Sequence, residues 1–164
     1  MKVVFTVILL LLHLIAEGQA VMPDSISNAL RDKNQTEQIE LLHELVKKSW
    51  TSDPQQAKMY GKAAVEKSTQ LGNDRLLSIS YRLYGGVYNY LSQIDSGRYF
   101  KAQALAIALE LRDSALLAPT YNNLGVTAQT IGNHIEALEY CYKAFLIGSK
   151  MEAGWPPKSN DNRC

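Results

Sequence analysis

Cysteine is scarce in this sequence, with only Cys141 and Cys164 present among 164 residues. Two cysteines do not make a disulfide framework, even in an exported protein, so a fold held together by several disulfides is excluded. Cys141 falls at a packing position of a predicted helix and is expected to be a small, buried, apolar residue. Cys164 ends a polar stretch and indicates nothing about function.

An excess of charge of one sign is also missing. The chain has 17 Lys and Arg against 16 Asp and Glu, and both signs are mixed along its length. It therefore shows neither a basic stripe of the kind that binds nucleic acid nor an acidic block that attracts a cationic partner. The composition, 46% apolar and 20% charged, is typical of a folded domain rather than a disordered chain. We expect a partner that is recognised by shape and hydrogen bonds.

Catalytic and metal-binding motifs are lacking as well. The three histidines, His13, His43 and His134, lie in separate segments, and none has a cysteine or carboxylate at the spacing of a metal site. The sequence has no nucleophile elbow, no phosphate-binding glycine loop and no paired-carboxylate motif. These patterns predict a protein that is not an enzyme and that uses no metal and no cofactor.

Only one long apolar run occurs, and it lies at the N-terminus. Lys2 precedes the run over residues 3–15, and Gly18 and Ala20 provide small residues at the −3 and −1 positions of a cleavage site. This order predicts a secretory signal peptide over residues 1–20 and an exported protein, periplasmic or secreted. The alternative, an uncleaved membrane anchor, typically has about 20 apolar residues. Because no second run follows, the mature chain is not expected to span a membrane.

The rest of the chain is organised by a spacing of forty residues. This interval relates small and bulky residues alike: Gly85 and Gly125; Ala57, Gly97 and Ala137; Ala64, Ala104 and Ala144; Tyr60, Phe100 and Tyr140; Tyr81 and Tyr121. Such a period is typical of stacked repeats, in which one unit cannot bury its apolar face alone. It predicts an all-α fold, an α-solenoid of about three antiparallel helix pairs. The pairs are placed at residues 36–72, 73–112 and 113–151, with a lead-in segment over 21–35 and a disordered tail over 152–164.

Local signals mark the helix ends of the first pair. The sequence Asn34-Gln35-Thr36 formally matches a glycosylation acceptor, but we interpret it as a polar turn that caps a helix over residues 36–50. Asp53 followed by Pro54 predicts a second helix start, since the Asp side chain accepts from free N–H groups and proline loses nothing at the first helical position. Gly72 is expected to end that helix.

Similar signals occur in the later pairs. Asp113 and Asn133 are predicted N-caps. Pro119 would remove one hydrogen bond, so the helix after Asp113 is expected either to bend there or to begin later. Two apolar stripes are predicted to be buried: Leu77, Tyr81, Tyr84, Tyr88 and Leu91, and Leu117, Tyr121, Leu124, Ala128 and Ile131.

The small residues at repeated positions predict close helix crossings. Glycine inside a helix costs roughly 0.5–1 kcal/mol relative to alanine, so its recurrence indicates a packing role. We expect Gly85 and Gly125 in the first helices to meet Gly97 and Ala137 in the second ones, with Ala144 in the same packing signature.

Several of these residues match a known repeat. Leu124-Gly125, Ala128, Ala137 and Ala144 match leading positions of the tetratricopeptide repeat, and Tyr81 and Tyr121 match its first aromatic position. Over residues 36–151 the chain resembles tetratricopeptide repeat proteins of the longer, forty-residue type. The resemblance implies a superhelix whose concave face is made by the first helix of each pair, and a function in binding protein or peptide partners.

A narrower resemblance concerns the order of segments. A signal peptide, a short helix led by Asp24, and then the sequences at 52–57 and 71–74 are similar to the exported sensor region of Bacteroidetes-type histidine kinases and related regulators. This resemblance implies that the chain is a sensor fragment of a signal-transduction protein. The alternative is a small self-associating adaptor or structural protein of the periplasm.

By analogy with the family, the candidate peptide-binding residues on the concave face are Leu42, His43, Val46, Arg82, Asn89, Tyr90, Asn122, Asn123, Val126 and Gln129. Asn and Arg side chains there are expected to hold the backbone or a carboxylate of an extended peptide. The alternative is that they are ordinary solvated residues. The last helix pair is expected to expose apolar surface around Tyr142, Phe145 and Leu146, which would favour self-association.

Overall fold

Seven α-helices follow one another within residues 22–152, the part of the chain that the computed structural model describes. They are α1 (Asp24–Arg31), α2 (Gln35–Ser49), α3 (Pro54–Leu71), α4 (Asp74–Tyr90), α5 (Ile94–Glu110), α6 (Ser114–Thr130) and α7 (His134–Glu152). From α2 onward each helix packs on the next, and α4 also contacts both α2 and α6. Over these residues the fold is all-helical and built from consecutive helix pairs, which confirms the predicted α-solenoid. The predicted signal peptide and residues 153–164, including Cys164, lie outside the described residues.

The first helices begin where the capping signals predicted. Asn34 Oδ1 accepts from the N–H of Glu37 at 3.0 Å, and the Glu37 carboxylate accepts from the N–H of Asn34 at 3.2 Å. This reciprocal pair satisfies two N–H groups that have no partner within the helix. Asp53 Oδ1 accepts from the N–H of Gln56 at 2.9 Å ahead of Pro54, and Gly72 ends α3 with a φ of 66°. These three predictions are confirmed.

The later caps are also confirmed, but one alternative for α6 is wrong. Asp113 Oδ1 accepts from the N–H groups of Ala115 and Leu116, and Asn133 Oδ1 accepts from that of Glu136 at 3.3 Å. Helix α6 begins at Ser114 and continues through Pro119, so it does not start later. Proline there has no N–H to donate, so α6 continues past Pro119 with one backbone hydrogen bond fewer.

The main core lies between the first two pairs and is closed on one side by α1. Its buried members come from four helices: Leu30, Leu42, Val46, Ala57, Tyr60, Ala64, Leu83 and Val87. Of the two predicted stripes, Tyr84, Leu124 and Ala128 are buried, most other members are half-buried, and Ile131 is exposed. Ile131 follows α6 at the end of the described solenoid, where nothing packs over it from the far side.

Helix pairs cross most closely at their small residues. A Cβ placed on Gly85 would lie 2.8 Å from the carbonyl oxygen of Gly97, and one on Gly97 would lie 2.9 Å from that of Gly85. In the last pair, a Cβ on Gly125 would lie 3.3 Å from the carbonyl oxygen of Ala137. Ala144 is half-buried on α7. The backbones of α4 and α5 are therefore in contact at Gly85, and this contact leaves no room for a side chain.

The expectation that Cys141 is buried is wrong, because Cys141 is exposed. At the corresponding positions of α3 and α5, eighty and forty residues earlier, Gly61 and Lys101 are buried beneath α4 and α6. Among the described residues no helix covers α7 in that way. Tyr142, Phe145 and Leu146 on α7 are exposed for the same reason, as expected from the sequence.

Replacing Gly85 with alanine should destabilise the fold by about 1–3 kcal/mol, because the new methyl group meets backbone atoms that cannot turn aside. The matched change Gly148→Ala in α7 has open space around the new Cβ and should stabilise the protein by roughly 0.5–1 kcal/mol, since it removes only the entropic cost of glycine. Urea unfolding of both variants measures the two values. A loss of stability of the same size in both would contradict the close crossing at Gly85.

Candidate functional site

A groove of about 640 Å³ lies between α2 and α4, on the side of the solenoid that the first helices form. Its walls come from the end of the α1–α2 turn and from these two helices: Lys33, Glu37, Glu40, Leu41, His43, Glu44, Lys47, Arg75, Leu76, Ile79 and Arg82. On α4, three of these residues, Arg75, Ile79 and Arg82, follow one another at intervals of four and three. This spacing places them on one helix face. The groove is thus a surface built by two adjacent helices.

Arg82 is the residue of this groove whose polar atoms are least satisfied. Its Nε is buried and has no hydrogen-bond partner. Among the described residues no carboxylate lies within ion-pair distance of its guanidinium. Burial lowers the pKa of Arg82, although an arginine keeps its charge at any physiological pH. The groove therefore contains a cation that has lost water without gaining an anionic partner.

The opposite wall carries carboxylates. Glu37, Glu40 and Glu44 line α2 and are exposed. Glu37 caps its own helix, and Glu44 accepts from Lys47 Nζ at 2.7 Å, a contact that lowers the pKa of the Glu44 carboxyl group. Glu40 is the carboxylate of this wall for which no such contact is formed among the described residues. The α2 wall thus carries three carboxylates beside Lys33 and Lys47, whereas the charged residues of the α4 wall are both arginines.

His43 lies at the floor of the groove and is 5% exposed, which corrects the expectation that its side chain is open to a ligand. Its Nε2 is 2.7 Å from Ser80 Oγ, and Ser80 Oγ is 2.9 Å from Ser68 Oγ. Because Ser80 Oγ donates to the carbonyl oxygen of Leu76, it accepts from the His43 ring. Burial, followed by the charges of Lys47 and Arg82, lowers the pKa of His43 to about 4. The imidazole is therefore a neutral link between α2, α3 and α4.

Leu42 and Val46 are likewise fully buried rather than on the concave face, because both pack in the main core. The reason for the error is the length of α2. Helices α3, α5 and α7 begin forty residues apart, as do α4 and α6, whereas α2 begins 39 residues before α4 and ends 41 residues before it. One residue turns a helix by about 100°, so the repeat spacing does not define which face of α2 is exposed.

Asn89 and Tyr90 lie away from the groove and contact neighbouring helices. Asn89 Nδ2 donates to Thr127 Oγ1 at 2.7 Å and so joins α4 to α6. The ring of Tyr90 is about half exposed and stacks on Trp50, with ring centroids 5.8 Å apart. Both side chains therefore have structural contacts between helices.

The predicted residues of α6 do not gather with Arg82 either. Asn122, Val126 and Gln129 are exposed and Asn123 is half-buried. The carbonyl oxygen of Asn123 accepts from Thr127 Oγ1 at 2.9 Å. Of the predicted polar site residues, only Arg82 and the buried His43 line the groove between α2 and α4. The sequence signal that locates the groove is the spacing of Arg75, Ile79 and Arg82.

Lys101 is a buried cation that the sequence did not single out. It is 2% exposed, its Nζ donates to Thr127 Oγ1 at 2.5 Å, and burial lowers its pKa to about 8. Asn89 Oδ1, beside the same Thr127, is buried without a hydrogen-bond partner. Gly85 makes room for the lysine, since a Cβ there would lie 2.9 Å from Lys101 Cγ. A cluster of Asn89, Lys101 and Thr127 thus links α4, α5 and α6.

Within residues 22–152, no three His, Cys, Asp or Glu side chains lie close enough together to hold a metal ion. None of the helices in this range combines the length and the apolar character needed to cross a membrane. Comparison of the sequence with models of known protein families and with curated proteins gave no match.

The lowered pKa of His43 predicts that the protein loses stability in mild acid. Its pKa in the folded protein is about 4, below the value of 6.5 for an exposed imidazole, so the unfolded chain takes up the proton first as the pH falls. The stabilisation is complete above pH 6.5 and decreases by up to about 3 kcal/mol as the pH approaches 4. His43→Gln keeps a donor near Ser80 but does not titrate. The difference in unfolding free energy between wild type and H43Q should therefore shrink over this range, and a constant difference would refute the assignment.

The lowered pKa of Lys101 predicts that the stability of the folded protein changes at alkaline pH. Its folded-state pKa of about 8 lies below that of an exposed lysine, 10.5, so the stability of the wild type should rise as the pH increases from 8 to 10.5. Lys101→Met removes the buried charge and should stabilise the protein at pH 7 by about 1–3 kcal/mol, an advantage that disappears above pH 10.5. The exposed Lys62→Met is the control and should change stability little at either pH. Parallel stability curves for wild type and K101M would contradict this prediction.

Proposed function

We propose that this protein is an interaction module that binds a peptide segment of a partner protein in the groove between α2 and α4. The observation that carries the proposal is the state of Arg82, a groove-lining cation with a buried, unpartnered Nε. A buried donor without a partner costs about 1–3 kcal/mol, and more where the group is charged. Burial of Nε leaves the two terminal nitrogens of the same guanidinium to meet a ligand, and a ligand carboxylate would pair with them through charge-assisted hydrogen bonds, for which arginine geometry is well suited.

The shape and charge of the groove favour a peptide with mixed charge over a simple anion. The groove runs along two helices and is lined by both signs of charge, four cations and the carboxylates of Glu37, Glu40 and Glu44. A segment with a carboxylate for Arg82 and a basic side chain for Glu40 complements both walls. The apolar side chains of Leu41 and Ile79 lie between these charges and provide contact surface for the ligand's own carbon atoms.

The sequence resemblances support the same class of function. Similarity to tetratricopeptide repeats over residues 36–151 favours a protein or peptide partner, and the apolar run with its cleavage-site residues favours an exported module of the periplasm or the exterior. Similarity to exported sensor regions favours a role in signal transduction, in which peptide binding would be the input. In this proposal the protein has no catalytic activity of its own.

The test uses an array of short mixed-charge peptides. Each peptide is made once with its carboxylates and once with Asn and Gln in place of Asp and Glu and an amidated C-terminus. The carboxylate forms should bind the wild-type protein, and Arg82→Gln should weaken that binding by at least about tenfold, the loss expected for a hydrogen bond to a charged group. Fluorescence anisotropy with the full chain measures the affinities.

Arg98→Gln is the matched control, because Arg98 is an exposed arginine on α5, outside the groove and 3.6 Å from Glu136. It should leave peptide affinity unchanged. The proposal is contradicted if no peptide binds the wild type, if the neutral forms bind equally well, or if R82Q and R98Q have the same effect. Because Arg82 has no partner in the free protein, R82Q should not lower stability, and helicity by circular dichroism checks this.

A further inference from the structure

A pocket of about 330 Å³ lies between α5 and α7, with α6 beneath it. Leu124 and Ala128 of α6 belong to its floor, and both are buried. Arg98 of α5 and Tyr140 of α7 line the walls that these two helices form. The pocket shares no lining residue with the groove between α2 and α4, so it is a separate feature of the surface.

The preceding helix pair has an aromatic ring at the equivalent place, the ring of Tyr88 on α4. This ring stacks on Phe100 of α5, with centroids 5.3 Å apart and an angle of 19° between the planes. The ring of Tyr84 meets it edge-on at 4.8 Å, and Lys58 Nζ of α3 lies 4.8 Å from its centroid. The Tyr88 ring therefore lies between two second helices and has a cation over one of its faces.

The counterparts of these residues, forty positions later, all line the pocket. They are Arg98 for Lys58, Leu124 for Tyr84, Ala128 for Tyr88 and Tyr140 for Phe100. The surroundings of the Tyr88 ring are thus repeated in the last pair. The ring itself is not repeated, because the side chain of Ala128 ends at Cβ.

The geometry of the aromatic wall is also repeated. Tyr81 and Phe100 stack with ring centroids 5.9 Å apart and an angle of 26° between the planes. Their counterparts, Tyr121 and Tyr140, stack at 6.1 Å and 28°. Because this wall has the same arrangement in both pairs, a ring in the pocket would meet Tyr140 as Tyr88 meets Phe100.

We propose that this pocket binds a small phenol-like molecule, whose ring takes the position that the Tyr88 ring has in the preceding pair. The ring would stack on Tyr140 and lie beneath Arg98, the contacts that Tyr88 makes with the counterparts of these two residues. A cavity of about 150 Å³ is sufficient for one benzene ring. A pocket of about 330 Å³ therefore has room for one substituted ring and little more.

The charges around the pocket favour a neutral ring that carries a hydroxyl group. Asp95 and Glu136 line the pocket together with Arg98, so the carboxylates outnumber the cation and the net charge disfavours an anionic ring. Glu136 accepts from Asn133 Nδ2 at 2.8 Å and lies 3.6 Å from Arg98. Asp95 forms no ion pair within the described part of the chain. A phenolic hydroxyl group can donate to this carboxylate.

The proposal is tested by an NMR titration of the full chain with phenol, which is the part of a tyrosine side chain that Ala128 lacks. Phenol should shift the Leu124 methyl signals in a saturable way, with a dissociation constant of about 1 mM or below, an affinity within reach of so small a ligand. Cyclohexanol has the same number of non-hydrogen atoms but no π system. It should bind at least about fivefold more weakly, because it loses both the stacking and the cation–π contact.

Ala128→Tyr provides the ring from within the chain, as Tyr88 does in the preceding pair. It should abolish the saturable shift of the Leu124 signals, because the new side chain occupies the pocket. The matched control, Ala106→Tyr, makes the same change at an exposed position of α5 outside the pocket and should alter the dissociation constant less than about twofold. Circular dichroism shows whether each variant is folded.

Three results would overturn the proposal: Leu124 signals that phenol leaves unchanged, equally tight binding of cyclohexanol, or equal phenol binding by the two folded variants. If A128Y does not fold, the comparison of phenol with cyclohexanol on the wild type decides. N-acetyltyrosinamide has the same ring on a peptide backbone and should bind no more tightly than phenol. Tighter binding would assign the pocket to an aromatic side chain of a protein and overturn the free molecule as its ligand.

The test is independent of the peptide proposal. Arg82→Gln changes the groove between α2 and α4 and should leave the dissociation constant of phenol unchanged, because Arg82 does not line the pocket. A128Y in turn leaves every lining residue of the groove in place. Failure of phenol binding and failure of peptide binding can therefore be told apart.

Discussion

The contact between the backbones of Gly85 and Gly97 is the constraint on which the middle of the solenoid depends. Because neither residue has a side chain, each glycine reaches the other's carbonyl oxygen at a distance where a Cβ would collide. That approach brings the Lys101 stem under Gly85 and lets Lys101 and Asn89 meet at Thr127. The position of α6 relative to α4 and α5 follows from this cluster. A single side chain at Gly85 would therefore disturb the contact within one pair and the contact with the next pair together.

Polar side chains, rather than apolar ones alone, define how successive pairs are joined. His43, Ser80 and Ser68 connect α2, α4 and α3, and Lys101, Thr127 and Asn89 connect α5, α6 and α4. Apolar packing is tolerant of small sliding movements between helices, whereas a buried hydrogen bond is lost if its partners shift by an ångström. The cost of burying His43 and Lys101 is visible in their lowered pKa values. These buried hydrogen bonds specify the register of each helix pair against the next.

The architecture could be predicted from the sequence, but the candidate site could be predicted only in part. Helix starts at Asp53, Asp113 and Asn133 were predictable because a cap is a local interaction between a side chain and the next turn. The all-helical stacking was predictable because it repeats every forty residues. Arg82 lines the groove with a partly exposed side chain, but His43 is buried, because α2 is two residues shorter than α4 and the repeat spacing fails there. The burial of Lys101 was not predictable, since it depends on the space that Gly85 leaves on another helix.

Departures from the repeat are therefore as informative as the repeat itself. Positions that keep the forty-residue spacing, such as Ala64, Ala104 and Ala144, serve packing that every pair needs, so they carry no information about a particular partner. The groove lies beside α2, the helix whose length breaks the spacing. On α7, the exposed Ile135, Leu138 and Tyr142 stand where the earlier pairs have mostly polar residues. The period is broken at α2 and on α7, so these two helices hold the residues that the repeat pattern does not account for.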